Sequence, residues 1–334
     1  MSKVRVVPGL IPALVAGSVL VMVLACFLGS TELSPSRIMM AFIGLGDRAD
    51  MLVIWHIRFP RTLAAFLVGA ALGISGAAMQ GLLRNPLAEP GVLGVSATAA
   101  LGATFALYYG LVGLWPFILP ISAILGALLA TGVVAMMAFR TQSVVTLILV
   151  GVGLSSFAAA LMSLLMNLAP NPFSLSDMIN WMMGSVANRS FDDIGLAAPF
   201  ILAGLALLLW QRRGLSALTL GEEAAAGLGL NLKLQRLSVI LGAGLATGGA
   251  VALAGAIGFV GIVAPHIIRP WVGHDPARTL IPSGLMAGMI LVLADIVVRL
   301  LPTAAEMKLG VIAAIIGAPA FAYIAAQRKG AVHD

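Results

Sequence analysis

The chain has 334 residues, 60% of them hydrophobic and only 10% charged, with a formal net charge of +6 at pH 7. Soluble globular proteins carry about a quarter of their residues as charged groups, so this composition excludes that class and marks an integral membrane protein. At roughly 20 apolar residues per span, about ten spans and their connections use up residues 1–334 as one all-α transmembrane domain, with no soluble domain left over. The basic residues are scattered over loop ends without aromatic interleaving, which excludes nucleic acid as a partner.

The first expected span is 10–29. Lys3 and Arg5 before it and Val23-Leu24-Ala25-Cys26 within it give a likeness to a secretory or lipoprotein signal. Its length of about 20 residues is that of a retained span rather than of a signal core. Cys26 is the only cysteine and forms no intramolecular disulfide. Residues 30–58 lean polar and are expected to be too short to bury a core. The second span is 62–82, and Arg58 and Arg61 flank Phe59-Pro60 just ahead of it. A helix starting there sets both charges against the partial positive charge of its free N–H groups, a placement that calls for a function.

Spans at 92–109, 114–139 and 145–168 follow, then a polar stretch at 169–190 and a sixth span at 193–210. Residues 214–230 are too short and polar to cross; Gly221-Glu222-Glu223-Ala224-Ala225-Ala226 reads as a short helix with acids in its first turn, ended by Gly227 or Gly229. The last spans are 232–253, 257–268, 280–300 and 309–326. The eighth is too short for a bilayer core of about 30 Å, but the parity of basic loops requires a crossing there. With the N-terminus inside, twelve Lys/Arg fall on the cytoplasmic side and seven outside, accounting for all 19 and placing both termini in the cytoplasm. Gly69–Gly76 and Gly242–Gly249 each carry a G-x-x-x-G ridge, suited to close helix packing and, in a sharper reading, to an internal duplication of a four- or five-helix unit.

No lysine follows a phosphate-binding glycine loop, and neither H-E-x-x-H nor G-x-S-x-G occurs. No ionisable residue stands near the middle of a span; Asp295 comes closest, four residues before Arg299 in the favourable acid-to-base order. A permease without its own energy source is a channel or is driven by another protein.

The order R-F-P-R (58–61), N-P-L-A-E-P-G-V-L-G-V-S (85–96), L-G-E-E-A-A-A-G-L-G (220–229), G-F-V-G-I-V-A-P-H-I-I-R (258–269), A-D-I-V-V-R (294–299) and I-G-A-P (316–319) resembles the permease family of iron-chelate and cobalamin ABC importers over nearly the whole chain. That resemblance implies the type II importer permease fold of about ten helices, working as a homodimer in a bacterial inner membrane. It implies two cytoplasmic ATP-binding subunits and a periplasmic substrate-binding protein as partners, with ATP and Mg held by the partner subunit and no cofactor in this chain. By motif position, Arg58, Arg61 and Arg299 are expected to dock the binding protein. A coupling helix within 217–230, with Leu220, Gly221, Glu222, Glu223, Leu228 and Gly229, is expected to contact the ATPase. The cytoplasmic gate falls on Gln142, Ser143, Val144, Val145 and Thr146. Glu306-Met307-Lys308 departs from the family's pattern of a proline and an apolar residue before Gly310. An iron chelate, ferric siderophore or haem, is the expected cargo, with cobalamin as the alternative and an ion-coupled secondary transporter as the rival of another class.

Overall fold

In the computed structural model the described residues are 7–327, without 30, 32, 142 and 303–305 and without the side chains of 323–327. Among them the chain forms α1 Leu10–Phe27, α2 Pro35–Phe42, α3 Arg48–Leu52, α4 Phe59–Leu83, α5 Val95–Tyr108, α6 Ile118–Arg140, α7 Val144–Asn167, α8 Pro172–Met182, α9 Phe191–Trp210, α10 Arg212–Ala217, α11 Glu222–Gly227, α12 Leu232–Ala254, α13 Val260–Ile268, α14 Pro276–Leu300 and α15 Leu309–Gln327. Every expected span contains one of these helices, and no strand occurs among the described residues: this is an all-α polytopic membrane protein. The end of the bundle where α1 starts is here called proximal, and the end where it finishes distal.

Helices α4, α12 and α14 form the centre. Helix α4 lies against α14, α12, α13 and α9; α12 also packs on α9 and α6, while α1 covers α14. Lipid offers no hydrophobic drive between helices, so close backbone approach must supply the packing energy. The two glycine ridges do this. On α4, Gly69 faces Ala287, Gly73 faces Ser283 and Gly76 faces Gly261; on α12, Gly242 and Gly249 face Leu208 and Ile201, and Gly244 and Gly248 face Thr131 and Ala127. The pairings also recur. Helix α4 on α14 matches α12 on α6, and α5 on α6 and α7 matches α13 on α14 and α15, as two exchanged five-span units would pack.

The third span of each unit is broken. A 3-10 turn at Pro90–Leu93 precedes α5, and residues 255–259 run irregularly into α13. The eighth span is therefore shorter as a helix than expected, because Gly255 (φ 72°) and Phe259 (φ 66°) stand at positive φ and helical geometry starts only at Val260. The two breaks lie close, with the Glu89 carboxylate in electrostatic reach of the Phe259 backbone.

Two further expectations need correction. The second span does not begin at Thr62, since helical backbone runs unbroken from Arg48 to Leu83. Pro60 marks no start. A π turn at Val53–Arg58 moves the hydrogen bonding by one residue, Phe59 N–H reaching Ile54 O, and Pro60 has no N–H to place. Arg58 and Arg61 thus stand inside a helix, with no free N–H groups beside them. Residues 30–58 also bury more than expected: α2 and α3 enclose Ile38, Ala41 and Ile54, clamped by a bidentate Arg37–Asp50 pair at 2.7 and 2.8 Å.

Candidate functional site

At the distal end, the last turn of α1 leaves carbonyls without intrahelical partners. Two arginines fill that need. Arg58 Nη1 donates to Cys26 O at 2.9 Å and Phe27 O at 3.2 Å, and its Nη2 to Thr31 O. Arg299 Nη1 donates to Ala25 O at 2.9 Å, placing a second cation at the negative end of the α1 dipole. Asp295, fully buried, is the shared anchor. It accepts Arg299 Nε at 2.8 Å, and Arg61 Nε and Nη2 at 2.9 and 2.7 Å. Arg61 also reaches Glu306, whose side chain is exposed.

Arg58, Arg61 and Arg299 thus meet around one distal basin of about 320 Å³, floored by Gly29 and Thr31 and rimmed by Glu306. Three cations and two acids leave it one positive charge. The expected ion pair between Asp295 and Arg299 is present, and Arg61 joins it from 234 residues away. Of the three arginines, Arg61 is paired with an exposed acid, Glu306, while Arg58 and Arg299 reach exposed Thr31 and Leu28 only through backbone carbonyls.

At the proximal end, α10, a 3-10 turn at Leu218–Leu220 and α11 form one short lever between α9 and α12. Leu215, Leu218 and Ala225 anchor it in the core, and Ser216 Oγ hydrogen-bonds the Asp275 carboxylate that caps α14. The helix over Glu222–Gly227 ends where expected, at Gly229 (φ 88°), whose N–H returns to Ala226 O at 2.9 Å. Leu220 and Leu228 point outward, 65% and 71% exposed.

The two acids of this lever differ. Glu222 accepts Arg236 Nη2 at 2.6 Å, neutralising an arginine buried on α12; Glu223 is exposed. Removing one partner of a buried pair is costly. Glu222→Ala is therefore expected to destabilise the purified chain by about 1–3 kcal/mol, against less than about 0.5 kcal/mol for Glu223→Ala, in thermal melts.

At the expected gate, Ser143 caps α7 by accepting the Thr146 N–H at 3.2 Å, and Val145 is 65% exposed; Val144 and Thr146 are half-buried. Gln142 lies outside the described residues. From there an uncovered stripe climbs α7 through Val145, Leu149, Val152, Ser156, Ala160, Ser163 and Asn167. The spacing of three and four residues keeps it on one face, apolar at the proximal end and polar toward the distal end. Hydroxyl and amide groups at membrane depth belong against protein or a water-filled space rather than lipid tails.

The FecCD transport family matches residues 17–327. The vitamin B12 import system permease protein BtuC of Klebsiella pneumoniae is 43% identical over 283 residues, 84% of each chain. The uncharacterized ABC transporter permease protein YvrB of Bacillus subtilis is 40% identical over 289 residues, 84% of this chain and 81% of that one. Among solved structures, an inward-facing chain described as of the metal-chelate ABC transporter type superposes with a TM-score of 0.87 at 31% identity, over 96% of this chain and all of the other. By sequence and by fold, the chain belongs to the FecCD transport family, as the membrane-spanning permease of an ABC importer.

Proposed function

We propose that two copies of this chain pair across their uncovered α7 faces and carry an iron chelate, a ferric siderophore or haem, between them into the cytoplasm of a bacterium. The polar stripe of α7 is the observation that carries this reading, since one copy leaves it facing nothing. On this reading the proximal end is cytoplasmic, both termini lie there, and the membrane is the inner membrane. Two ATP-binding subunits grip the α10–α11 levers through Leu220, Glu223 and Leu228, with ATP and Mg bound on those subunits. Their closure moves the levers, and the link from Ser216 to Asp275 passes the motion to the start of α14. The residues Ser143 to Thr146 close the proximal mouth. A periplasmic binding protein docks over the distal basin, where charge complementarity gives orientation and on-rate. Cobalamin is the second reading, favoured by the likeness to vitamin B12 permeases.

The test is uptake into proteoliposomes holding this chain with the ATPase and binding protein encoded beside it. Ferric siderophore, haem and cobalamin are offered in turn, each followed by its own label. One cargo is expected to enter only with ATP, and Glu223→Lys is expected to lower that uptake at least tenfold by reversing charge at the ATPase contact. Uptake by the chain alone on an ion gradient would sink the importer reading and make it a secondary transporter.

A further inference from the structure

Beside α8 on the distal side is a second cavity, of about 270 Å³, lined among others by Asn180, Ser185, Asn188, Arg189 and Lys308. Arg189 Nε is buried and has no hydrogen-bond partner among the described residues. Among those residues neither Arg189 nor Lys308 makes an ion pair. Asp193 is the acid whose field reaches Arg189; its Oδ2 caps α9, accepting the Ser190 N–H at 2.8 Å and Oγ at 2.9 Å, and its carboxylate makes no ion pair with Arg189. Asp177 stands exposed on the rim. Burial lowers the Arg189 pKa, with Asp193 opposing the shift, but a guanidinium stays protonated, so the site keeps a half-buried charge that Asp193 offsets through its field without an ion pair.

A buried donor left unmade is costly, and natural chains rarely keep one without a use. The arginine fork matches a carboxylate, and Lys308 adds a compact charge beside it. Two amides and the Ser185 hydroxyl complete a lining rich in donors. The volume suits one arm of a chelate, not the whole of it. Helix α8 follows the distal end of the polar α7 face, where Asn167 stands. We infer that this cavity binds a free carboxylate arm of the incoming metal chelate at the distal mouth, so that the permease favours acidic chelates over neutral ones. The inference rests on the importer reading and adds a substrate class to it.

Equilibrium binding to the chain in nanodiscs tests it without ATP or partner proteins, using ferric citrate as the carboxylate probe and a neutral ferric trihydroxamate as its contrast. Wild type is expected to bind ferric citrate preferentially. Arg189→Gln with Lys308→Gln is expected to weaken ferric citrate by about 10- to 100-fold and to leave the trihydroxamate unchanged. The melting temperature of Arg189→Gln is expected to hold or rise, because a half-buried charge without an ion pair contributes little to stability. A fall in that temperature would mark a structural arginine and overturn the site. So would equal binding of the two chelates, wild-type binding by the double variant, or iron-free citrate binding as tightly as ferric citrate. Failure of ATP-driven uptake for every cargo would sink the importer reading separately, since the binding measurement does not depend on it.

Discussion

Asp295→Asn is expected to lower the stability of the folded chain by about 3–5 kcal/mol, the range for breaking a buried ion pair from one side. One carboxylate there serves two guanidinia, and both lose the negative charge they share, the Asn amide oxygen remaining only as a neutral acceptor. Arg299 keeps only carbonyls and the Thr62 hydroxyl, while Arg61 keeps Glu306. Glu306→Gln, at the exposed rim of the same cluster, is expected to change stability by less than about 1 kcal/mol. Thermal melts of the two variants in one detergent give the comparison, and equal melting temperatures would show that the cluster does not hold α1, α4 and α14 together. Replacing the cluster with apolar groups supplies a second check. Asp295→Leu with Arg61→Met and Arg299→Met is expected to recover part of the loss, because neither guanidinium is then left buried without the acid it shared.

Gly76→Val is expected to abolish accumulation of folded protein. Even the Cβ of an alanine would stand 2.0 Å from Gly261 O and 2.7 Å from its carbonyl carbon. Both are backbone atoms of α13, so no side chain can swing aside and the two helices must part. Overpacking of a tight core typically costs about 1–3 kcal/mol, and a clash between two backbones lies beyond that range. Parting them would also break the contact of Gln80 with Gly261 O and, through Gln80, its hydrogen bond from Arg269. Gly132→Ala on α6 is the control, with nothing within 4 Å of the new methyl and a gain of about 0.5–1 kcal/mol from helix propensity. Monodisperse yield after size-exclusion chromatography separates the two outcomes; a wild-type yield for Gly76→Val would refute the close-contact account of α4.

The ten spans were legible because long apolar runs are the strongest signal a membrane chain gives. Their ends were less so. Pro60 reads as a first-turn proline, and only the π turn before it shows how a helix passes through. Helices α2, α3 and α8 leave no such signal, because each is too short to cross the bilayer or to establish a helical period. At the distal basin, the arginines stood out through their motif, and Arg299 through its neighbour Asp295. The pairing of Arg61 with Asp295 joins residues 234 apart, and no local pattern encodes that. The same holds for Arg189 and Lys308, which the fold brings to one cavity from opposite ends of the second half. The lever was readable down to its closing glycine, whereas the division of labour between Glu222 and Glu223 required knowing that Arg236 points inward.

The brevity of α13 bears on how the protein is made. Nine residues rise about 13.5 Å, under half of the hydrocarbon thickness, so this segment cannot partition from the translocon as an independent unit. Its polar backbone at residues 255–259 becomes tolerable in the bilayer only when other protein surrounds it. Helices α4 and α14 supply the groove, and the Glu89 carboxylate stands near the Phe259 backbone. The crossing of α13 is therefore expected to depend on α4 and α14 both being in place, rather than on its own hydrophobicity.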